Sequence, residues 1–384
     1  MFSRKVPLAW QNLTHDKMRL AIAVAGIGFA VLLMFMQMGF QNALMDSTVE
    51  LIRQLDADLL VMSSDRYTFS VQETFTRRRM EQIRLQPGVD WAEPLYIELN
   101  LSQWKNVENN KLVYIRVMGM NPHRPLFDLP GVQQQARLLI EPGTALADER
   151  SKSDYGPLET GVESTVNGRR VKIIGMFSLG ADFINDGNLI VSDLTFRDLF
   201  GFPGSDRLDS VDLGLVKLAE GADAEELRAA LAAKLPRDVQ VLTKQQFVEQ
   251  EQEFWATSTP IGFVFRLGTV MGFVVGVIVC YQVLSTDIAD HLNEFATLKA
   301  MGYSSFYFFK VVLQEALLLS ILAYLPGVLV SMLLYSLIAW LTGLQLALTP
   351  GLLGAVLSFT VIMCVASGCM AINKLLEADP AELF

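Results

Sequence analysis

The chain has 384 residues, 51% of them hydrophobic and 19% charged, with a mean hydropathy of +0.33 and a formal net charge of −10. That average is too apolar for one ordinary soluble fold and too charged for a chain lying wholly in lipid, so it predicts membrane helices joined to a polar domain. The negative charge is local: residues 42–258 hold 33 acidic and 23 basic side chains while the rest balances, and so acidic a domain argues against nucleic-acid binding.

Residues 1–19 open with Val6, Leu8, Trp10 and Leu13 set among polar neighbours, a pattern that fits an amphipathic helix on the cytoplasmic membrane surface. Leu20–Gly39 is the first apolar segment and predicts a crossing over 20–41. It is too long for a signal-peptide core, and no small-residue cleavage site follows it, so the helix is expected to be retained. Arg4, Lys5, Lys17 and Arg19 precede it against only Asp16, which places the N-terminus inside and the next domain outside. Helical spacing continues through Leu44, Leu51, Ile52 and Leu55.

Residues 42–258 read as an extracytoplasmic α/β domain. Ala57–Met62, Trp91–Leu99 and Lys111–Met118 have strand character, with a helix at Glu73–Leu85. A second β-α-β set follows at Val211–Leu218, Ala224–Leu235 and Val239–Leu242. Between the sets, Val166–Phe177 predicts a hairpin turning at Asn167-Gly168, and Asn188–Val191 a short strand. These suggest one subdomain split by an inserted β-rich lobe at about 131–210. Gln245–Trp255 is expected to return as a stalk helix beside the 44–55 extension. The domain has no cysteine; Cys280, Cys364 and Cys369 all fall in membrane segments, so the domain's own core must hold it together.

The second crossing is expected at 259–286. Gly268, Gly272 and Gly276 recur every four residues on one face and invite close approach of another helix. Either a homodimer seam or packing within one subunit satisfies that pattern. Arg266 lies near the outer end of this crossing, where its side chain can snorkel. The third and fourth crossings, 308–341 and 352–373, lie largely within an uncharged run from Ala316 to Asn373, long enough for two helices and an outer turn at 342–351. Pro326 interrupts the third and predicts a kink. Residues 374–384 form a cytoplasmic tail.

Residues 287–307 lie between the second and third crossings. Ile288, Leu292, Phe295 and Leu298 share one helical face, with Asp287, Asp290, Glu294 and Lys299 on others. Gly302 is placed to end that helix. A short amphipathic helix between two crossings is either a docking knob for a soluble partner or a membrane-surface helix. Chemistry is poorly represented. The three histidines are scattered, no Cys/His cluster suggests a metal, and Gly156–Gly161 has the glycine spacing of a phosphate loop but lacks its Lys and hydroxyl. No catalytic, cofactor-binding or metal-ligating residues are assigned.

Asn293-Glu294-Phe295-Ala296-Thr297-Leu298-Lys299-Ala300-Met301-Gly302 resembles the REI-x-x-L-x-A-x-G signature of FtsX/MacB-type ABC permeases, and Ala378-Asp379-Pro380-Ala381-Glu382-Leu383 resembles their DPAEAL tail. Leu8–Leu13 and Gly26-Ile27-Gly28 are similar to their first helix, and Thr165–Gly175 to their NG-x-x-x-x-VVG hairpin. Asn293 stands in place of the usual Arg, and Phe295 in place of Ile. With Ala57-Asp58-Leu59-Leu60-Val61, the chain looks most like the DevC-type permease subunits of this type VII family, which are cyanobacterial. The resemblance implies an α-helical membrane protein with four transmembrane helices (1+3) and a large α+β extracytoplasmic domain, the MacB-like periplasmic core.

It further implies a non-catalytic inner-membrane homodimer whose ATP and Mg are bound by a separate ABC ATPase subunit. A periplasmic adaptor (membrane fusion protein) and a TolC-like outer-membrane channel complete the implied set of partners. The implied function is mechanical export of a lipid, glycolipid or other hydrophobic cargo. An FtsX-like regulator of cell-wall hydrolases and a lipoprotein-releasing permease are the rival readings. The residues expected to couple to the ATPase are Ile288, Leu292, Glu294, Phe295, Leu298 and Lys299; those expected to pack helices or dimerise are Gly268, Gly272 and Gly276.

Overall fold

A computed structural model describes residues 8–202, 206–291, 297, 301–302, 304–342 and 346–377. The chain divides into two compact units. One spans Leu44–Thr259; the other combines the N-terminal segment through Ala43 with the chain from Pro260 onward.

Along the chain, α1 (Leu8–His15) is followed by α2 (Lys17–Arg53). The soluble unit then runs β1 (Leu59–Ser63), β2 (Phe75–Thr76), α3 (Arg78–Arg84), β3 (Val89–Glu98), β4 (Gln103–Lys105), β5 (Leu112–Tyr114) and β6 (Arg116–Met120). It continues with α4 (Pro130–Gln135), β7 (Thr144–Asp148), β8 (Glu163–Val166), β9 (Arg169–Phe177), β10 (Asn188–Ser192) and α5 (Asp193–Phe200). It closes with β11 (Ser210–Val211), β12 (Leu213–Leu218), α6 (Ala224–Lys234), β13 (Val239–Thr243) and α7 (Lys244–Glu253). Three long helices follow: α8 (Pro260–Asp290), α9 (Ser305–Thr342) and α10 (Pro350–Glu377).

Eleven strands form one sheet in the order β13-β1-β12-β3-β6-β10-β7-β9-β8-β4-β5. At one end the two β-α-β sets interleave. Strand β12 lies between β1 and β3, antiparallel to both, and β1 lies between β12 and β13. Each set is therefore a split β-α-β unit whose gap is filled by a strand of the other. The strands of the expected 131–210 lobe make no sheet of their own. Strand β10 pairs parallel with β6, and β7 through β9 extend the sheet outward from there. Backbone pairing thus carries one sheet through both parts, because an unpaired edge at β6 would leave its ladder of donors and acceptors unsatisfied.

Both faces of β1 are buried. Leu59 and Val61 join a cluster with Met80 and Ile83 of α3 and with Leu227 and Leu231 of α6. Leu60 and Met62 join a cluster on the other face with Phe247 of α7 and with Val49, Ile52 and Leu55. The period-2 alternation of side chains along a strand makes both assignments at once. The 44–55 extension and α7 are accordingly parts of this domain's core rather than a free-standing stalk. The predicted hairpin turn is present: Asn167 and Gly168 have φ of 52° and 78°, the pair of positive values a two-residue turn of this hand needs.

Among the described residues four helices are long and apolar enough to cross a membrane: Pro260–Asp290, Phe306–Leu341, Pro350–Ile372 and Lys17–Arg53, whose first part lies with them in the other unit. The core centres on α2, whose Ala23, Ile27, Ala30, Val31, Met34 and Phe35 are fully buried. Helix α9 passes through Pro326 without a break. Exposed apolar side chains line the outsides of these helices, including Phe263, Leu267, Val270, Val274 and Ile278 on α8.

Candidate functional site

The three glycines of α8 sit against the chain's own α2. A Cβ at Gly272 would stand 3.3 Å from Met34 Cγ, 3.4 Å from Leu33 Cβ and 3.5 Å from the Met34 backbone nitrogen. One at Gly268 would run into the Gln37 amide, and one at Gly276 into Met363 Sδ while lying 3.1 Å from Ala30 Cβ. Larger side chains of α2 (Leu33, Met34 and Gln37) and the small Ala30 fill the space the glycines leave, as expected where helices associate by close packing rather than by expelling water. The other side of α2 faces α9: a Cβ at Gly327 would meet Val31 and lie 3.4 Å from the Gly28 carbonyl, and Tyr335 Oη donates to the Phe35 carbonyl. Ser367 Oγ of α10 donates to the Val277 carbonyl at 2.9 Å, tying α10 to α8.

The glycine face is therefore occupied within the subunit. Of the two readings open to the sequence, in-chain packing is the one these contacts illustrate, with α2 as the shared partner.

Of the six residues expected to couple to an ATPase, Ile288 is described and is buried in the membrane-unit core with Leu284 and Leu13. Leu292, Glu294, Phe295, Leu298 and Lys299 lie outside the described residues. Asp287–Asp290 form the last turn of α8 instead of starting a separate helix. This end is tied down twice. Arg19 Nη1 pairs with Asp290 Oδ2, and Ile288 fills the apolar gap behind it. Asp16 caps α2 by accepting from the backbone nitrogens of Met18 and Arg19 at 3.0 and 3.1 Å. The His15, Asp16, Arg19, Asp287, Asp290 and His291 side chains rim a cavity of about 320 Å³ here. On the far side of the segment, Met301 N donates to the Thr297 carbonyl at 3.0 Å, and Gly302 has a φ of 94°, the left-handed value at which a helix commonly ends. Helix α9 starts three residues later.

The soluble unit has a buried polar clamp that no sequence motif marked. Glu251 of α7 is fully buried. Its Oε1 accepts from Thr68 Oγ1 at 2.7 Å and from Trp255 Nε1 at 2.8 Å, and its Oε2 accepts from Phe69 N at 2.7 Å. Arg66 is buried beside it and donates to the carbonyls of Thr68, Phe69 and Asp212. Burial lowers the Arg66 guanidinium pKa, against the opposing pull of Asp212, Glu251 and Glu73. Burial likewise raises Asp212, although Arg207 at 2.7 Å and the Ile97 N–H at 2.9 Å favour its ionised form. Arg66 and Arg116 lie on the Phe69 ring at 5.2 and 5.8 Å from its centroid. The arrangement pins the 66–69 loop to α7, which is positioning and not chemistry. Among the described residues no group of three His, Cys, Asp or Glu side chains could hold a metal ion.

Two family models match the chain. The MacB-like periplasmic core domain covers residues 20–234, and the FtsX-like permease C-terminal region covers residues 266–380. The chain belongs to the FtsX/MacB-like permease family. Solved structures similar to the permease include the periplasmic region of MacB from Actinobacillus actinomycetemcomitans, at 12% identity and a TM-score of 0.35, covering 51% of this chain and 92% of that one. The extracellular domain of the ABC-type transporter YknZ from Gram-positive bacteria is similar at 13% identity and a TM-score of 0.34, covering 48% and 98%. No curated protein matches the permease. The family is one of non-catalytic ABC permease subunits and implies an ABC ATPase partner. Glu251 escaped sequence reasoning because it stands in a Gln/Glu-rich helix that reads as solvated. The one available signal was Phe247, four residues earlier and buried on the same side.

Proposed function

We propose that this permease is a DevC-type subunit that turns ATP hydrolysis by a separate ATPase into movement of its soluble domain. It works as a homodimer with four crossings in a 1+3 layout, both termini in the cytoplasm and the soluble domain in the periplasm. The observation that carries this reading is the anchored end of α8. Ile288 and the Arg19–Asp290 pair tie the start of the 287–307 segment to α1 and α2. A push on that segment therefore enters the helix bundle directly. Only two covalent links join the units, one within α2 at 43–44 and one at 259–260. Motion of α2 and α8 must pass through them.

The uncharged run from 316 to 373 supports helices that transmit force better than helices that line a polar path. Cargo would then be taken from the periplasm or the outer leaflet and driven through an adaptor into a TolC-like channel. A lipid or glycolipid is the cargo class proposed. Co-purification of the full chain in mild detergent tests this. The expected companions are an ABC ATPase and a membrane-fusion adaptor. A cell-wall hydrolase in place of the adaptor would replace export with regulation, and a lipoprotein-accepting chaperone would replace it with lipoprotein release.

A further inference from the structure

Four aromatic side chains from three separate segments gather at one place on the soluble unit. Tyr67 lies between β1 and β2, Phe183 between β9 and β10, and Phe254 and Trp255 directly after α7. Tyr67 packs on Phe254 with ring centroids 5.4 Å apart, Phe254 on Trp255 at 5.8 Å, and Phe183 edge-on to Trp255 at 6.0 Å. Yet the cluster is not core. Tyr67 is 56% exposed, Phe183 51% and the adjoining Ile184 39%. Phe254 and Trp255 are half-buried.

Two of its three segments are also tied together. Glu251 accepts from the Trp255 indole and from the Thr68 and Phe69 groups that follow Tyr67. The indole's polar edge is thus satisfied inwardly. A contiguous exposed apolar patch of this kind marks a surface with a partner.

Chain connectivity says which partner. Four residues lie between Trp255 and Pro260, where α8 begins, so even a fully extended chain holds it within about 18 Å of that helix. The first outward-facing side chains of α8, Phe263 and Val264, are apolar and exposed. Tyr and Trp rings favour the boundary between headgroups and acyl chains, where one end of the ring is apolar and the other wet. We infer that Tyr67, Phe183, Phe254 and Trp255 form an aromatic foot by which the soluble domain rests in the headgroup layer of the adjacent leaflet. The domain is acidic, so the contact is apolar, made with uncharged or zwitterionic headgroups rather than by attraction to anionic lipid. The inference rests on α8 being a membrane crossing.

The test uses the full chain in phosphatidylcholine nanodiscs, with acyl chains either plain or brominated just below the headgroup. The reading is the emission lost on Trp255→Phe, taken as a difference from wild type. Trp340, 81% exposed near the end of α9, is measured in the same way through Trp340→Phe as the internal standard for a membrane-embedded ring. The Trp255 component is expected to lose about half of its intensity to brominated lipid, and to do so equally in high salt. Phe183→Trp on the Trp255→Phe background should restore a quenchable component from a different segment.

Quenching of Trp340 without Trp255 would overturn the foot while leaving the crossings intact. Quenching of neither would overturn the membrane reading itself. A Trp255 component reached by aqueous iodide, or by neither quencher, would mean that solvent or a protein partner faces the patch, and either result rejects the lipid contact.

Discussion

Gly272→Leu is expected to pull α2 and α8 apart and to cost the membrane unit its stability. An added Cβ would be tight only against Met34 Cγ, at 3.3 Å, where a flexible side chain has to give by a few tenths of an ångström, and in ordinary contact at 3.4 and 3.5 Å with Leu33 Cβ and the Met34 nitrogen, so alanine is accommodated. The next atoms of a leucine meet the Leu33–Met34 stretch of α2, including the Met34 backbone nitrogen, which cannot rotate away as a side chain can. Overpacking of this kind costs about 1–3 kcal/mol at one site. Here the displaced helix is also the one against which α9 packs, so the cost falls toward the upper end. Thermal unfolding of the full chain in detergent should show Gly272→Ala close to wild type and Gly272→Leu strongly lowered. Equal stability of the two variants would mean that the seam is looser than the structure shows. Gly276→Ala makes a useful contrast. Its Cβ would overlap Met363 Sδ, whose side chain is fully buried, and stand 3.1 Å from Ala30 Cβ, which cannot turn away, so that variant should lose more stability than Gly272→Ala.

Glu251→Ala is expected to have the larger effect on the soluble domain. It removes an acceptor that serves three donors at 2.7, 2.7 and 2.8 Å. Thr68 Oγ1, the Phe69 N–H and the Trp255 indole would all lose that partner, and an unsatisfied buried group costs about 1–3 kcal/mol. Several such groups released together take a sizeable part of the 5–15 kcal/mol that a domain typically has. Limited proteolysis should find a new cut within 64–73, and Trp255 emission should shift as its ring comes free. Glu251→Gln keeps an acceptor oxygen and the packing, so it should fall between wild type and alanine. Unchanged protease resistance in Glu251→Ala would show that the loop is held by Arg66 alone.

The parts of this permease that were legible in the sequence are those set by local periodicity. Helical spacing and missing charge marked the long apolar helices, strand character marked β1 and β3, and Asn167-Gly168 marked its hairpin. Gly302 was legible as a left-handed position, because its backbone value is one that few other residues adopt readily. The interleaving of β12 between β1 and β3 was not legible, since it pairs residues more than 100 positions apart and no local signal specifies such a partner. The same long-range pairing hid the single sheet behind what reads locally as an inserted lobe. Glycine spacing gave the packing face of α8, but spacing alone names no partner. Only the facing residues Met34, Gln37 and Ala30 do that. Glu251 was hidden because its composition is that of a surface helix while its burial is set by a loop 180 residues away.

The central claim is that force enters through the 287–307 segment. ATP hydrolysis by the partner ATPase, measured with the permease in nanodiscs, tests it most directly when Glu294→Ala and Leu298→Ala are combined. The account predicts that the double variant folds normally and loses both ATPase binding and the permease-dependent change in hydrolysis rate. Unchanged binding, with hydrolysis and export also as in the unaltered chain, would contradict it.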